Sequence, residues 1–276
     1  LTESIRETNT MSEEEMLKLV EVARSEQVVF FSTPFDIASA RFLNKLQPIF
    51  KIASGDNNVF PLIDEVASYG KPLLISTGLA SLELLKIVRE RVSMVAPRDN
   101  TSLCFLHCVS SYPTPDNEAN LGAISDLGRK FPDVVIGYSD HTEGIKASIL
   151  SVTAGARIIE KHFTLDKQWS DFRDHQLAAD PTDMAELVER VREARQMLGN
   201  DGFVECQPCE EPGRIAHRRS IGTIVNLEAG HILSAADLTW IRPGSGLPVG
   251  DESKLIGQQL KHRIAAGTVI SEVDIV

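Results

Sequence analysis

Two histidines pose the chemical question. His141 ends the run Ile136-Gly-Tyr-Ser-Asp-His-Thr142, and His162 lies in Ile158-Ile-Glu-Lys-His-Phe-Thr164, 21 residues further on. Each run reads as a short apolar strand ending in a histidine, and Glu143–Thr153 between them is helical in pattern. A strand–helix–strand unit makes parallel neighbours, so the two imidazoles would stand side by side where one metal ion could hold both. A lone histidine at a strand end is commonly a satisfied polar residue. Two on consecutive strand ends, with Asp140 adjacent, put a metal site beside that plainer reading. Two nitrogens completed by oxygen ligands and water suit Mn²⁺, Mg²⁺, Fe²⁺ or Zn²⁺. Glu160 falls on the same strand face as His162, as a partner of that site or as a core carboxylate.

A second set of residues could hold an anion. Lys51 lies inside Phe50-Lys-Ile-Ala-Ser-Gly-Asp56. A lysine within a buried strand is costly unless it faces a negative charge; the other reading is an edge or snorkelling lysine. Ser54, Ser76 and Ser139, with Gly55 and Gly78, supply hydroxyls and approachable backbone N–H groups for a phosphate or carboxylate. Each is an ordinary loop former alone, and the specificity lies in the combination.

The elements that must position these residues alternate along the first 200 residues. Val28–Ser32, Ile49–Ala53, Pro72–Ser76, Leu103–His107, Val134–Tyr138 and Ala156–Glu160 are short apolar runs expected of parallel strands buried on both faces. Helical patterns separate them: Met11–Ser25 capped by Thr10 or Ser12, Phe60–Tyr69 ending at Gly70, and Ser81–Val92. A looser segment from Leu121 to Lys130, then Glu143–Thr153 and Pro181–Leu198, complete the set. Polar residues follow all six strands: Ser32-Thr33, Ser54–Asp56, Ser76–Gly78, Ser110–Tyr112, Ser139–His141 and His162. An open doubly wound sheet would gather its site at one switch point. Six decorated strand ends favour the catalytic face of a (β/α)₈ barrel.

After Gly199 the pattern changes. Residues 200–217 read as a polar linker, and residues 218–276 as a compact, mostly β domain of short strands and turns. A net charge of −11 argues against nucleic acid or an anionic membrane surface as a main partner. No run of 18 apolar residues suggests a transmembrane helix. Cys104 and Cys108 lie in an apolar run, as small hydrophobes would. The Cys206-Gln-Pro-Cys209 spacing lacks the second pair of ligands a zinc site needs, and the cytoplasm is the default compartment.

Taken in order, Phe31-Ser-Thr-Pro-Phe35, Lys51–Asp56, Ser76-Thr-Gly78, Leu106–Pro115, Gly137–Thr142 and Glu160–Thr164 resemble the sialic acid synthase family. The tail, Arg218-Arg-Ser-Ile221 through Arg242-Pro-Gly-Ser-Gly246, resembles that family's C-terminal antifreeze-like (SAF) domain. The resemblance implies a TIM barrel joined to a SAF domain in a domain-swapped homodimer. The activity it implies is condensation of phosphoenolpyruvate with an N-acetylated amino sugar.

It further implies that His141 and His162 bind a divalent ion, usually Mn²⁺. Lys51, Ser54, Ser76 and Ser139 match phosphoenolpyruvate positions, and Ser110 and Tyr112 sit where either substrate is contacted. Asp174 matches an acidic sugar-binding position. Asp56 matches an acidic residue that is more often Glu, and Lys51, Asp56 and Tyr112 are the expected catalytic groups. Arg242 matches the arginine that reaches the neighbouring subunit's site and binds the N-acetyl group. Acceptors of the legionaminic or pseudaminic type, and a non-catalytic sugar-binding copy, are the competing readings. Family members also carry two earlier βα units, on the order of 60 to 80 residues. This sequence is expected to lack them, and to turn over little substrate as residues 1–276 alone.

Overall fold

The computed structural model describes residues 11–96, 102–199, 202 and 204–276. The chain divides into two compact units, 1–200 and 201–276. In the first unit, α1 (Glu13–Ser25) is opened by Ser12, whose hydroxyl caps Glu15 N while the Glu15 carboxylate returns to the Ser12 backbone. The alternative cap, Thr10, lies outside the described residues. Then follow α2 (Ile37–Leu43), β1 (Phe50–Ile52), α3 (Phe60–Ala67), β2 (Leu73–Ser76) and α4 (Leu82–Val95, capped by Ser81). The unit continues with β3 (Leu103–Cys108), α5 (Gly122–Lys130), β4 (Val135–Asp140), α6 (Lys146–Thr153) and β5 (Ile159–Lys161). It ends with α7 (Arg173–Leu177) and α8 (Pro181–Leu198).

The five strands form one parallel sheet in the order β1-β2-β3-β4-β5. An order that never reverses is that of a barrel wall and not of a doubly wound sheet. The sheet is strongly curled. Across four strand spacings its edges would stand ~19 Å apart if flat, yet Lys51 on β1 reaches Glu160 on β5 at 3.3 Å. Strand alternation sorts the side chains. Phe50, Ile52, Leu73, Ile75, Phe105, Ile136 and Tyr138 pack outward against the helices, while Leu74, Cys104 and Leu106 form an inner apolar layer with Ile49 and Ile158. Gly137 is required there: a Cβ would come within 2.5 Å of Leu106 Cδ2 and 2.7 Å of the Ile158 carbonyl.

One expected strand is absent. Val28–Ser32 joins no sheet among the described residues, and the Val28 N–H bonds the Ala23 carbonyl at 2.9 Å. The side chain of Gln47 binds both the N–H and the carbonyl of Ser32, at 2.7 and 3.0 Å, taking groups that a ladder would use. The count of described parallel strands is therefore five, not six. Helix α2 was not anticipated; Asp36 caps it through Ser39 N.

In the second unit, α9 (Glu211–His217) lies inside the stretch expected as linker, of which residues 200, 201 and 203 are outside the described set. Strands β6 (Ser220–Thr223) and β7 (Leu238–Ile241) pair antiparallel. Isolated bridges such as Gly222 to Val269 and Leu227 to Ile264 close the rest around Ile221, Leu227, Leu233, Leu247, Leu255, Leu260, Ile264 and Ile270. Among the described residues, no helix is long and apolar enough to cross a membrane.

Candidate functional site

Above the inner apolar layer, the concave face of the sheet turns polar. Lys51, Ser76, Cys108, Ser139 and Glu160 occupy inward positions of β1 to β5; Cys108 pairs in register with Ser139, and Ser139 with Glu160. Lys51 therefore faces an anion, as its burial demanded, and in this structure that anion is Glu160.

The next layer is built by the turns that follow the strands. The Ser54 hydroxyl accepts the Gly78 N–H at 3.1 Å, and Asn57 binds the carbonyls of Ser76 and Gly78 at 3.2 and 2.9 Å. These contacts dock the turn after β1 onto the turn after β2. A Cβ on Gly78 would lie 2.2 Å from Ser110 Oγ and 2.7 Å from Ser54 Oγ, so Ser54, Gly78 and Ser110 converge on one point. Among the described residues, the buried hydroxyls of Ser76 and Ser110 have no hydrogen-bond partner. Unmatched buried donors beside a lysine make a cradle for an anionic ligand.

Beside this cradle stand the aromatic side chains. The rings of His141 and His162 are 5.2 Å apart and nearly perpendicular, and Tyr112 lies 4.1 Å from the first and 5.8 Å from the second. His141 Nδ1 lies 2.8 Å from the Val109 carbonyl, and His162 Nδ1 is 3.9 Å from Asp174 Oδ2. The Val109 carbonyl occupies Nδ1 of His141 and leaves its Nε2 for a metal, while 3.9 Å is too long for a hydrogen bond to fix which nitrogen of His162 is free. An ion about 2.1 Å from two imidazole nitrogens would place the ring centres roughly 5 Å apart at a near-tetrahedral angle, and the observed spacing fits. Among the described residues, no group of three or more His, Cys, Asp or Glu forms a metal cluster. The chain thus offers two nitrogens, and substrate or water would complete the shell. Burial, then the neighbouring charge of His141, push His162 below its ordinary pKa against the pull of Asp174 and Glu160. That favours the neutral, ligating form.

Sequence reasoning missed Cys108. Its sulfur lies 3.8 Å from His141 Nδ1 and 3.5 Å from the Ser54 hydroxyl, linking the anion cradle to the histidines. Burial raises the thiol, but hydrogen bonds from His141, Ser54 and Ser139 and the charge of His141 outweigh it, leaving the pKa lowered. Two-residue alternation from Leu106 would have placed it on the inner face. The same rule corrects the expectation for Asp140. Next to His141 in a strand it must point the other way, and its carboxylate is buried on the outer face with Lys161.

Asp56 sits on the single 3₁₀ turn after β1, two residues beyond Ser54, and burial raises its carboxyl pKa. Arg242 belongs to the second unit. There its Nε donates to the His217 carbonyl at 3.0 Å, in a groove of about 840 Å³ lined also by Arg214, Arg218 and Arg219.

Residues 2–202 match the NeuB family and residues 218–276 the SAF domain. The chain is 34% identical to the N-acetylneuraminate-9-phosphate synthase of Mus musculus over 95% of its own length and 72% of that protein. It is 37% identical to the N,N'-diacetyllegionaminic acid synthase of Legionella pneumophila, over 94% and 73% respectively. The crystal structure of the N-acetylneuraminic acid synthetase of Leptospira borgpetersenii, in complex with citrate, superposes with a TM-score of 0.68 at 35% identity. That match covers 73% of this chain and 69% of that one.

Proposed function

This chain belongs to the NeuB family, and on that premise we propose that it condenses phosphoenolpyruvate with an N-acetylated amino sugar of the N-acetylmannosamine type. The products are a nonulosonic acid and phosphate. The observation that carries the reading is the convergence, on one concave face, of Lys51 and two unpartnered buried serine hydroxyls with a pair of facing imidazoles.

In this reading Lys51, Ser54, Ser76, Ser110 and Ser139 bind the phosphate and carboxylate of phosphoenolpyruvate. Lys51 exchanges its contact with Glu160 for the substrate's charge. Tyr112 and Asp174, which flank the histidines, orient the open-chain sugar, and Asp56 acts on the reacting groups as a carboxyl with a raised pKa. His141 and His162 would hold a divalent ion, Mn²⁺ in this proposal, which would supply Lewis-acid polarisation of the sugar aldehyde. Carbon 3 of phosphoenolpyruvate forms the new bond to that carbonyl carbon, water adds at carbon 2, and loss of phosphate leaves a 2-keto acid. Holding both substrates on one rigid face supplies the proximity term. Arg242 is assigned to the N-acetyl group and the assembly is a homodimer, both on family membership, and the cytoplasm is assigned as the default compartment from cysteine usage.

The relatives named for legionaminic acid synthesis support a second acceptor class. A panel of N-acetylated hexosamines, including 2,4-diacetamido and 6-phosphorylated members, assayed with phosphoenolpyruvate decides between them. Turnover is expected with one class, and no phosphate release from any member would reject the proposal.

A further inference from the structure

The residue before each histidine is charged and buried. Asp140 precedes His141 and Lys161 precedes His162; their side chains are 0% and 1% exposed, with Nζ 3.3 Å from Oδ2. They are register partners across β4 and β5. Alternation sends them to the outer face, away from both imidazoles. A buried ion pair is a poor stabiliser, because desolvation offsets the attraction and an apolar pair of similar volume would serve as well. What it adds is direction.

Asp140 Oδ1 accepts from the Thr142 N–H and hydroxyl, both at 2.8 Å, and from the Tyr138 hydroxyl at 3.2 Å. Oδ2 accepts from the Ser148 hydroxyl on α6. Lys161 Nζ donates to the Thr142 carbonyl at 2.6 Å. The two charges therefore grip Thr142 by its N–H, hydroxyl and carbonyl, with His141 between Asp140 and Thr142. The carbonyl of His141 itself accepts from Thr114 N at 2.8 Å, and that of His162 from Ala179 N at 2.8 Å.

We propose that Asp140 and Lys161 are positioning residues for a divalent-cation site. Their pair locks the last paired rung of β4 and β5, so that His141 and His162, one residue further along each strand, face one another at ligating distance. The inference rests on the metal reading of the two histidines given above.

The test is the variant Asp140→Asn/Lys161→Met in the full-length protein, which removes both charges together and leaves neither buried alone. Mn²⁺ affinity is read from free-ion electron paramagnetic resonance, and phosphoenolpyruvate affinity by calorimetry. The expected result is Mn²⁺ binding weakened about 10- to 100-fold, as for other outer partners of ligands, with phosphoenolpyruvate affinity changed by less than about threefold, because Lys51, Ser54, Ser76 and Ser110 belong to β1 to β3 and the turns after them and only Ser139 lies on β4. Unchanged Mn²⁺ affinity, or equal loss of both ligands, would overturn the proposal. If the double variant does not fold, Ser148→Ala decides. It removes one donor to Asp140 and should weaken Mn²⁺ in the same direction by less, and no change counts against the proposal. His162→Ala separates the two levels. Wild-type Mn²⁺ affinity there rejects the metal reading itself, while loss there with retention in the pair variant rejects only the positioning role.

Discussion

Replacing Lys51 by Met separates an anion-binding lysine from a structural one. At 3.3 Å, the attraction between Lys51 and Glu160 is about 5 kcal/mol at an effective dielectric of about 20. The side chains are 15% and 33% exposed, so desolvation and screening bring the net contribution to about 1 kcal/mol. Glu160 can also take up water once its partner is gone. The melting temperature should thus fall by only about 2–4 °C for a unit of this size. Phosphoenolpyruvate would lose a charge-assisted hydrogen bond worth about 1.5–3 kcal/mol, or roughly 10- to 150-fold in Kd. Calorimetric titration with phosphoenolpyruvate, beside a thermal melt, reads both quantities. A Kd within about threefold of the parent would show that Lys51 binds no substrate anion and serves only as the counter-ion of Glu160.

Gly78→Ala puts a methyl 2.2 Å from Ser110 Oγ and 2.7 Å from Ser54 Oγ; both hydroxyls must rotate away, and the KM for phosphoenolpyruvate should rise about 10-fold with the fold intact by circular dichroism. Gly137→Ala meets Leu106 and the Ile158 backbone instead, so urea denaturation should show a loss of about 1–3 kcal/mol. Hydrogen bonds from His231 and Ser234 hold Asp237 down at about 2, from an ordinary 3.8. A depressed carboxyl stabilises the fold above its unfolded pKa and ceases to as pH falls through the folded one. Amide-exchange protection over residues 231–241 should therefore decline between about pH 4 and 2, and Asp237→Asn should remove that dependence.

Local signals in the chain were strong where local physics decides. Pro181 at a first helical position and Gly199 beyond the last bounded α8 as found, and Ser81 capped α4. The facing of His141 and His162 followed from parallel neighbours alone, and the rings stand 5.2 Å apart. What escaped was set by distant partners or by orientation. Val28–Ser32 has strand composition, but Gln47, 15 residues away from Ser32, takes its backbone groups. The anion opposite Lys51 lies on the far edge of the sheet, so only the curl reveals it. Asp140 and Cys108 were misjudged by neighbourhood along the chain, although strand alternation fixes the side each one faces.

In the proposed reaction, the residues on this concave face join phosphoenolpyruvate to an amino-sugar aldehyde. The most direct measurement follows phosphate and 2-keto acid together, in the full-length protein with Mn²⁺, phosphoenolpyruvate and the accepted N-acetylated sugar, for the parent and for His141→Ala. The parent should release equal amounts of the two products. The variant should release neither product while keeping its fold and its phosphoenolpyruvate affinity. Undiminished turnover in His141→Ala, or phosphate released without a matching keto acid, would contradict the proposed reaction.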